Sequence, residues 1–458
     1  EGVLVDFFGR QASISPGGVR LALKTGSGLC VALIRRKAGL THTIQLKPFD
    51  LVRVSDDKDE NVRVNLQKAV KAFEEMIRES PQEYMWMQKI WKFDTARYAL
   101  ILDDGRTGHL RQSETVAACI EDHLRQNNRE LKQRCVRVAY RDPLKKYVVL
   151  LAGFFHAVLP EGLRLRILEQ CLTPESFQAV WGFKADVVIS AGSYSAPIAF
   201  LISKEHRAKS VSVLRPSVLP WSWFDLVIVP RHDRPASDKK AASNCVVTKG
   251  APNLINEHYL KEYSALLLKR YSHLKLRDRL KIGVLLGGDT KSYFLDEALA
   301  KKMIRQIQDA ANQLDADILL TTSRRTSEKV ENFLLRELNK DSRCQLLIIA
   351  NRANAPEAMG GILGLSDILV VTGDSISMVS EAASSGKKTV VVPVERRTED
   401  GEVHKHNRFV DQLNAEGYVL CSNAQTIRDA IFNLAKNKIT TRVLNDTDVI
   451  RQAVRRIL

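Results

Sequence analysis

The chain has 458 residues, more than a single hydrophobic core usually organises, so two or three domains are expected. Hydrophobic residues make up 45% and charged residues 27% of the chain, a globular composition that argues against long disordered stretches. Lysine and arginine outnumber aspartate and glutamate by 69 to 53 and are spread along the chain. That distribution favours lipid headgroups or nucleotide phosphates, rather than nucleic acid, as the anionic partner.

The seven cysteines are widely scattered and form no CxxC pair. This usage predicts a reducing, cytoplasmic compartment, with neither a disulfide framework nor a metal site, and no cofactor is expected. The chain starts at Glu1 without a methionine or a targeting segment, which predicts a fragment or processed form of a longer protein. Its longest apolar run, residues 147–159, is too short to cross a bilayer as a helix.

In residues 1–60, short apolar runs alternate with turn signals such as SPGG and TGSG. This pattern predicts strands around one short helix. From Val62 to Arg78 the apolar residues recur at helical spacing, and Ser80-Pro81 ends the helix.

At Tyr98 the pattern changes to a buried strand, YALILDD, followed by the turn GRTGH and a helix from about Gln112. This order opens a doubly wound α/β domain. A second α/β lobe starts at Lys281 with KIGVLLGGDT. A helical hinge is predicted at 256–271, and ligands are expected in the cleft between the lobes. Further strands are predicted at 136–140, 187–190, 210–214, 226–229 and 246–247 in the first lobe and at 318–322, 345–349, 368–371 and 389–392 in the second.

The first candidate site is the turn Asp103-Asp104-Gly105-Arg106-Thr107-Gly108-His109. Its glycines permit a tight turn and a close ligand approach, and amide groups at a helix start favour a phosphate or carboxylate. His109 suits a general base, a phosphate donor or a helix cap, and Asp104 or Asp103 is the alternative base. A plain βα turn explains these residues equally well.

The second candidate site is the corresponding turn of the second lobe, Gly287-Gly288-Asp289-Thr290-Lys291-Ser292. A glycine loop followed by hydroxyl and lysine donors suits a diphosphate. An ordinary turn with a solvated lysine is the equally good alternative.

The third candidate site is richest in small hydroxyl side chains. A buried strand leads into Thr372-Gly373-Asp374-Ser375-Ile376-Ser377-Met378-Val379-Ser380-Glu381. A carboxylate at Glu381 suits both hydroxyl groups of a ribose, while the serine-rich turn and the helix start suit phosphates. Capping serines and a helix-dipole glutamate account for each residue singly but not for the whole arrangement.

The third site resembles the donor site of GT-B glycosyltransferases such as the peptidoglycan N-acetylglucosaminyltransferase, and HKHNRFVDQLNAEGYV (404–419) resembles that family's segment near the donor diphosphate. Together, DDGRTGH, LLGGDTKSY, TTSRRT (321–326) and VTGDSISMVSEAASSGK resemble the mitochondrial-fission ELM-type family over roughly residues 97–435. The resemblance implies an α/β fold, a GT-B-like pair of Rossmann-like lobes with an interlobe cleft. Motifs and resemblance together assign to a nucleotide-sugar site Gly105, Gly108, Gly287, Gly288, Lys291, Ser323, Arg324, Arg325, Asp374, Ser375, Ser377, Met378, Ser380, Glu381, His406 and Asn407.

The N-terminal residues resemble the latter half of the lysophospholipid and lipid A (lauroyl or myristoyl) acyltransferases, through GVLVDFFGRQASISPGGVRLALKTGSGLCVALIRR and PQEYMWMQKIWKF. The working motif of those enzymes is a histidine and an aspartate separated by four residues. It is absent from residues 1–93, where His42 is the only histidine, and would lie before Glu1. The predicted domains are 1–93, a partial α/β acyltransferase domain; 94–265, a GT-B-like acceptor lobe; and 266–458, a GT-B-like nucleotide-sugar lobe.

These observations predict a bacterial envelope-lipid enzyme, in the manner of lipid A biosynthesis, that joins an acyltransferase-like domain to a glycosyltransferase. It would use a nucleotide-sugar donor and a lipid, glycolipid or saccharide acceptor. The segment 145–166, apolar with basic flanks, predicts peripheral contact with an anionic membrane at the cytoplasmic face of the inner membrane; a buried helix is the other interpretation. Two alternatives share the fold: a non-hydrolysing nucleotide-sugar epimerase, and a non-enzymatic peripheral membrane scaffold.

Overall fold

The computed structural model describes residues 2–86, 90–92, 94–160, 162–216, 218–234, 243–276, 278–397 and 401–458. The chain forms two compact units, Glu1–Arg97 with Asn127–Glu130 and Tyr98–Gln126 with Leu131–Leu458. The second unit contains both of the lobes discussed below.

The first unit packs two hairpins and two helices around a small core. Phe7 and Ile77 are buried at its centre, and Trp91 stacks on Phe7. The predicted helix is present and begins at Lys58, earlier than expected, because the Asp57 carboxylate caps it by accepting the Asp59 N–H. The elements are β1 (Val3–Phe7) paired with β2 (Arg10–Ile14), α1 (Gly17–Thr25), β3 (Leu29–Ala38) paired with β4 (Thr41–Phe49), and α2 (Lys58–Glu79).

The first lobe of the second unit is a six-stranded sheet in the order β10-β9-β8-β7-β5-β6. The pairings from β10 through β5 are parallel. The chain order reverses between β5 and β7, and open α/β sheets bind ligands at the carboxyl ends of the strands at such a switch point. The strands are β5 (Arg97–Asp103), β6 (Leu131–Arg137), β7 (Val187–Ala191), β8 (Lys209–Val213), β9 (Leu226–Pro230) and β10 (Cys245–Thr248); the helices are α3 (Thr107–Gln126), α4 (Lys145–Phe154), α5 (Leu163–Cys171), α6 (Pro174–Trp181) and α7 (Gly192–His206).

The second lobe repeats the plan with the order β14-β13-β11-β15-β16-β18, all parallel. Its switch point lies between β11 and β15. Val284 and Leu285 of β11 are both fully buried, one on each face of the sheet. The strands are β11 (Lys281–Leu286), β13 (Asp317–Thr322), β14 (Cys344–Ile348), β15 (Ile368–Thr372), β16 (Lys388–Val392) and β18 (Leu420–Cys421), with β12 (Tyr293–Phe294) and β17 (Glu395–Arg396) paired apart from them; the helices are α8 (Glu257–Arg270), α9 (Glu297–Leu314), α10 (Glu328–Leu338), α11 (Ala358–Leu365), α12 (Ile376–Ser384), α13 (Gly401–Ala415), α14 (Ile427–Ala435) and α15 (Thr447–Arg455).

Two parallel sheets covered by helices on both faces confirm the predicted α/β class with Rossmann-like lobes. Two local predictions were wrong. The helix predicted from about Gln112 begins at Thr107, so Gly108 and His109 lie in its first turn and only 104–106 form the loop. The strand predicted at 136–140 is β6, Leu131–Arg137; its outer residues are largely exposed because it is an edge strand.

Two helices cross the predicted border between the lobes. The hinge helix α8 packs closely against α11 of the second lobe. At the other end of the chain, α15 returns to the first lobe, where Ile450 and Val454 are buried in that lobe's core. Its Arg451 pairs with Asp122 of α3 at 2.8 Å. No helix among the described residues has both the length and the apolar character to span a membrane.

The contact between α8 and α11 depends on glycines. A Cβ added at Gly361 would lie 2.6 Å from the Cβ of Leu267, which is fully buried. We expect Gly361→Ala to lower the free energy of unfolding by roughly 1–3 kcal/mol, because overpacking forces the helices apart. The matched control is Gly18→Ala in α1, where the nearest atom is 3.9 Å away and alanine's higher helix propensity makes the change neutral or stabilising. Urea unfolding measures both, and equal stability of Gly361→Ala and the parent contradicts the close crossing.

Candidate active site

The first switch point holds a buried aspartate paired with a histidine. Asp104 Oδ2 lies 2.8 Å from His109 Nδ1, and the Asp104 side chain is only 2% exposed. Burial alone would raise the pKa of Asp104, but the hydrogen bond from His109 and its charge outweigh burial and lower that pKa. The carboxylate therefore stays ionised at neutral pH and fixes Nδ1 as the protonated nitrogen, which leaves Nε2 as the basic atom.

Gly192, the first residue of α7, leaves room for the imidazole on its other side. Its φ is +76°, and a Cβ there would lie 2.6 Å from His109 Cε1. The residue was not predicted from the sequence, although a glycine directly after a buried strand was the available signal. Asp103 has a different role from Asp104: it accepts the Gly105 N–H at 2.7 Å and lies 3.4 Å from Arg137. Asp103 shapes the turn.

At the second switch point, a buried carboxylate forms hydrogen bonds with the loops that follow two central strands. Asp374 accepts from Thr372 Oγ1 at 2.7 Å and from the Gly288 N–H at 3.1 Å, and Thr372 Oγ1 accepts the Gly287 N–H at 2.7 Å. A Cβ on Gly287 would lie 2.0 Å from Asp374 Oδ1, so only glycine fits. The amides of Gly287 and Gly288 are therefore bonded within the protein, and these glycines position the loop around Asp374.

The loop after β13 closes the same network. Arg325 Nη2 lies 3.2 Å from Asp374 Oδ2, and Thr326 donates its hydroxyl to the Gly287 carbonyl at 2.6 Å. Burial raises the pKa of Asp374, against the opposing effect of these donors. The Arg325 side chain stays 42% exposed and so remains accessible to a ligand phosphate. Arg324 is exposed and Ser323 Oγ accepts the Arg325 N–H at 3.1 Å.

The serine-rich turn brings the lobes together. Ser375 caps α12 by accepting the Met378 N–H at 3.4 Å. Ser377 lies across from the first lobe, with its Oγ 3.4 Å from where a Cβ of Gly108 would be. Met378 is buried in the second-lobe core. Ser380 is fully buried, and its hydroxyl accepts the Ala251 N–H and donates to the Ile376 carbonyl, so it anchors the interlobe linker.

Glu381 forms an ion pair across the lobes. Its Oε1 lies 3.3 Å from Arg111 Nη1 of α3, with 7% of the glutamate side chain exposed. Burial raises the pKa of Glu381, and Arg111 opposes that shift. The phenols of Tyr259 and Tyr263 lie within electrostatic range of Arg111. Arg111 was not predicted as a site residue. A ribose on Glu381 would have to share or displace this arginine.

The remaining predicted residues lie beside β12. Asn407 accepts from Tyr293 OH at 3.1 Å, and the His406 ring packs on Tyr293 at 4.9 Å. Burial lowers the pKa of His406 to about 4, so the ring is neutral at pH 7. Within the described part of the chain, His406 Nε2 is buried without a hydrogen-bond partner. Lys291 is exposed on the loop after β11.

The lobes are close together around these residues. Ion pairs of 2.6 Å and 2.9 Å join Glu416 of the second lobe to Arg231 and Lys249, and they lower the pKa of Glu416 to about 2. Three cavities of about 360, 610 and 770 Å³ lie along the linker, beside α8 and on α13. None of them is lined by His109, Asp374 or Glu381. Among the predicted site residues, Asn407 lines the cavity on α13.

Comparison with known proteins assigns the family. A family model described as "Mitochondrial fission ELM1" matches residues 107–458. The chain belongs to this family. The ELM1 match covers both lobes, and a second model, "Bacterial lipid A biosynthesis acyltransferase", matches residues 1–93. The predicted order of the two family segments is therefore confirmed. A curated relative, "Uncharacterized protein RP120" of Rickettsia prowazekii, is 24% identical over 341 residues, with 68% of this chain and 87% of that protein covered.

Solved structures with a similar fold include nucleotide-sugar enzymes. UDP-N-acetylglucosamine 2-epimerase from Rickettsia bellii matches with a TM-score of 0.45 and 13% identity, over 79% of this chain and 95% of that chain. The UDP-GlcNAc 2-epimerase from Neisseria meningitidis bound to UDP-GlcNAc matches with a TM-score of 0.42 and 15% identity, over 79% of this chain and 98% of that chain. The glycosyltransferase SnogD from Streptomyces nogalater matches with a TM-score of 0.39 and 13% identity, over 79% of this chain and 94% of that chain.

The Arg111–Glu381 pair predicts a pH-dependent stability difference. Arg111→Met leaves Glu381 buried without its cation, so we expect a loss of about 2 kcal/mol at pH 7, moderated because the arginine side chain is 37% exposed. Without Arg111 the folded-state pKa of Glu381 rises further above its unfolded value. Because the unfolded glutamate titrates alike in both proteins, the deficit grows as the pH rises through the raised folded-state pKa of Glu381, which lies above the ordinary value of about 4.3, and it is smallest at acidic pH.

Urea unfolding at neutral and acidic pH measures this effect, with Arg111→Met/Glu381→Leu as the control. The double variant removes both charges and should recover most of the stability. A loss in Arg111→Met that is the same at both pH values, or that the second substitution does not relieve, contradicts a buried interlobe ion pair.

Proposed function

We propose that the two lobes transfer a sugar from a nucleotide-diphosphate donor to a hydroxyl group of a lipid or saccharide acceptor. The observation that carries the proposal is the meeting of the two switch points. His109, which pairs with Asp104 of the preceding loop, lies in the same helix turn as Gly108, and Gly108 faces Ser377 of the second lobe. The proposed general base on one lobe would thereby face a serine-lined helix start on the other.

His109 would act as the general base. Its Nε2 takes the proton of the acceptor hydroxyl as that oxygen attacks the anomeric carbon, and the bond from that carbon to the diphosphate oxygen breaks. The proton stays on the imidazole, whose positive charge the Asp104 carboxylate stabilises. No cofactor enters the proposed step.

The second lobe would hold the leaving diphosphate. Ser375 caps the Met378 amide in the first turn of α12, and the start of this helix carries the positive end of the helix dipole. Arg325, fixed at 3.2 Å from Asp374 and partly exposed, supplies a cation beside this helix start. His406 lies nearby, half-buried and neutral, so it would act as a hydrogen-bonding group. Glu381 would accept the ribose hydroxyls once the lobes open and Arg111 moves aside.

The wider role proposed is that of a bacterial envelope-lipid enzyme at the cytoplasmic face of the inner membrane. The acyltransferase family match of residues 1–93 supports a lipid context for the lobes that follow. In this proposal the acceptor is a lipid or a glycolipid, and the acyltransferase-like unit works on related molecules.

Nucleotide binding is tested first. Isothermal calorimetry with UDP, GDP and CMP, and with their sugar derivatives, should detect one binding nucleotide. Arg325→Gln should weaken its binding by roughly tenfold or more, because a hydrogen bond to a charged group is lost. The matched control, Arg305→Gln, removes an exposed arginine on α9 that lies outside the assigned site residues and should bind like the parent. Failure of the parent to bind any of these nucleotides overturns the proposal and favours a non-enzymatic scaffold.

The catalytic role of His109 is tested by His109→Gln. We expect turnover of the donor to fall about 10²–10⁴-fold, the usual contribution of a general base, with nucleotide affinity unchanged. Asp104→Asn should also lower the turnover number, because the amide no longer selects the tautomer with a basic Nε2. Product analysis in the absence of any acceptor is the check on mechanism: an epimerised nucleotide-sugar would show that the site isomerises its donor.

A further inference from the structure

The outward side of α4 and the turn after it carries an unbroken apolar stripe. Its members recur every three or four residues and are between 39% and 76% exposed. We call this surface the α4 face; it consists of Leu144, Tyr147, Val148, Leu151, Phe154, Phe155 and Val158. Soluble surfaces rarely keep this many large apolar side chains together unless they bind something.

The opposite side of α4 is already packed. Val149, Ala152 and Gly153 are buried. Gly153 packs against Leu219, because a Cβ added at Gly153 would lie 3.2 Å from Leu219 Cδ2. The helix is therefore fixed to the first lobe and cannot rotate to hide its outer stripe. The segment predicted at 145–166 is thus both a packed lobe helix and an exposed apolar surface.

The charge around the stripe selects its partner. Between residues 141 and 166 the sequence has five basic residues and two acidic ones. Arg141 and Arg166 are exposed, and Lys145 and Lys146 are partly exposed at the start of α4. Arg164 is not part of this charge, because it pairs with Glu205. An apolar stripe with cationic edges is the pattern of a surface that lies in the headgroup region of an anionic bilayer. Two copies joined through this face would bring their like charges together.

We propose that the α4 face docks the protein on an anionic lipid bilayer. In a βα unit the helix starts at the carboxyl edge of the sheet, so the start of α4 lies at the same edge as His109. Docking therefore presents that edge to the membrane surface, which makes the acceptor a lipid-borne hydroxyl. The assignment of the acceptor rests on the proposed function, whereas the docking itself does not.

The test is sedimentation of the full chain with vesicles of phosphatidylcholine alone or mixed with phosphatidylglycerol. The parent should bind the mixed vesicles and bind the neutral ones weakly. Leu151→Glu and Phe155→Glu should each reduce the bound fraction by about tenfold or more, since each removes a buried apolar contact with the bilayer. Leu266→Glu is the matched control, an exposed leucine on α8 that lies outside the face, and it should bind vesicles like the parent.

Calorimetry with the nucleotide, without vesicles, separates this proposal from the preceding one. Leu151→Glu should bind nucleotide as the parent does, which also shows that the variant is folded. If the parent binds no nucleotide, the proposed sugar transfer is overturned, but the proposed docking is not. Vesicle binding that Leu151→Glu and Phe155→Glu retain, or no vesicle binding by the parent, overturns the docking. A parent dimer in sedimentation velocity that Leu151→Glu converts to a monomer overturns it as well, because the face would then join two copies.

Discussion

The buried carboxylate of Asp374 organises the second lobe's end of the candidate site. A carboxylate removed from water needs several donors, and here they come from the loops after β11, β13 and β15. Those loops are far apart in sequence and adjacent in the sheet because parallel strands bring their carboxyl ends to one edge. The requirement of a single acid therefore fixes two glycines and orients Arg325. The glycines serve the acid, and the arginine is what the loop offers to a ligand.

The same constraint operates between the lobes. Glu381 is buried where the first lobe meets the second, and Arg111 supplies the charge that its burial demands. Arg111 of the first lobe is the cation that faces this carboxylate. A nucleotide whose ribose replaces the arginine would exchange one set of donors for another, so binding and lobe opening would be coupled through a single side chain. The Glu416 ion pairs with Arg231 and Lys249 join the lobes at a second place, where the carboxylate is better exposed to water, 27% against 7% for Glu381.

The sequence predicted the elements whose signals are local. Buried strands such as 368–372 and 317–322 are runs of apolar residues, and glycines mark their ends. The order of two family segments was also predictable from motifs. What sequence reasoning missed depends on long-range pairing. In the sequence, Arg111 is an ordinary helical arginine; only the fold brings it to Glu381, a partner 270 positions away along the chain. Gly192 gains its role only because β7 lies next to β5. The hydroxyl of Ser380 suggested a ligand contact from the sequence, but in the structure it accepts the Ala251 N–H of the interlobe linker.

The α4 face divides the first lobe into a packed interior and an exposed apolar surface. Both faces of the lobe's sheet and the inner side of α4 are buried, while the outer side of α4 is apolar and exposed. Retaining such a surface costs solubility, so its presence beside a basic rim is explained best by an external apolar phase. In the proposed arrangement, a bilayer in that position would confine a lipid acceptor to a plane next to His109, the proposed general base. Such confinement would raise the acceptor's effective concentration without any further contact from the protein.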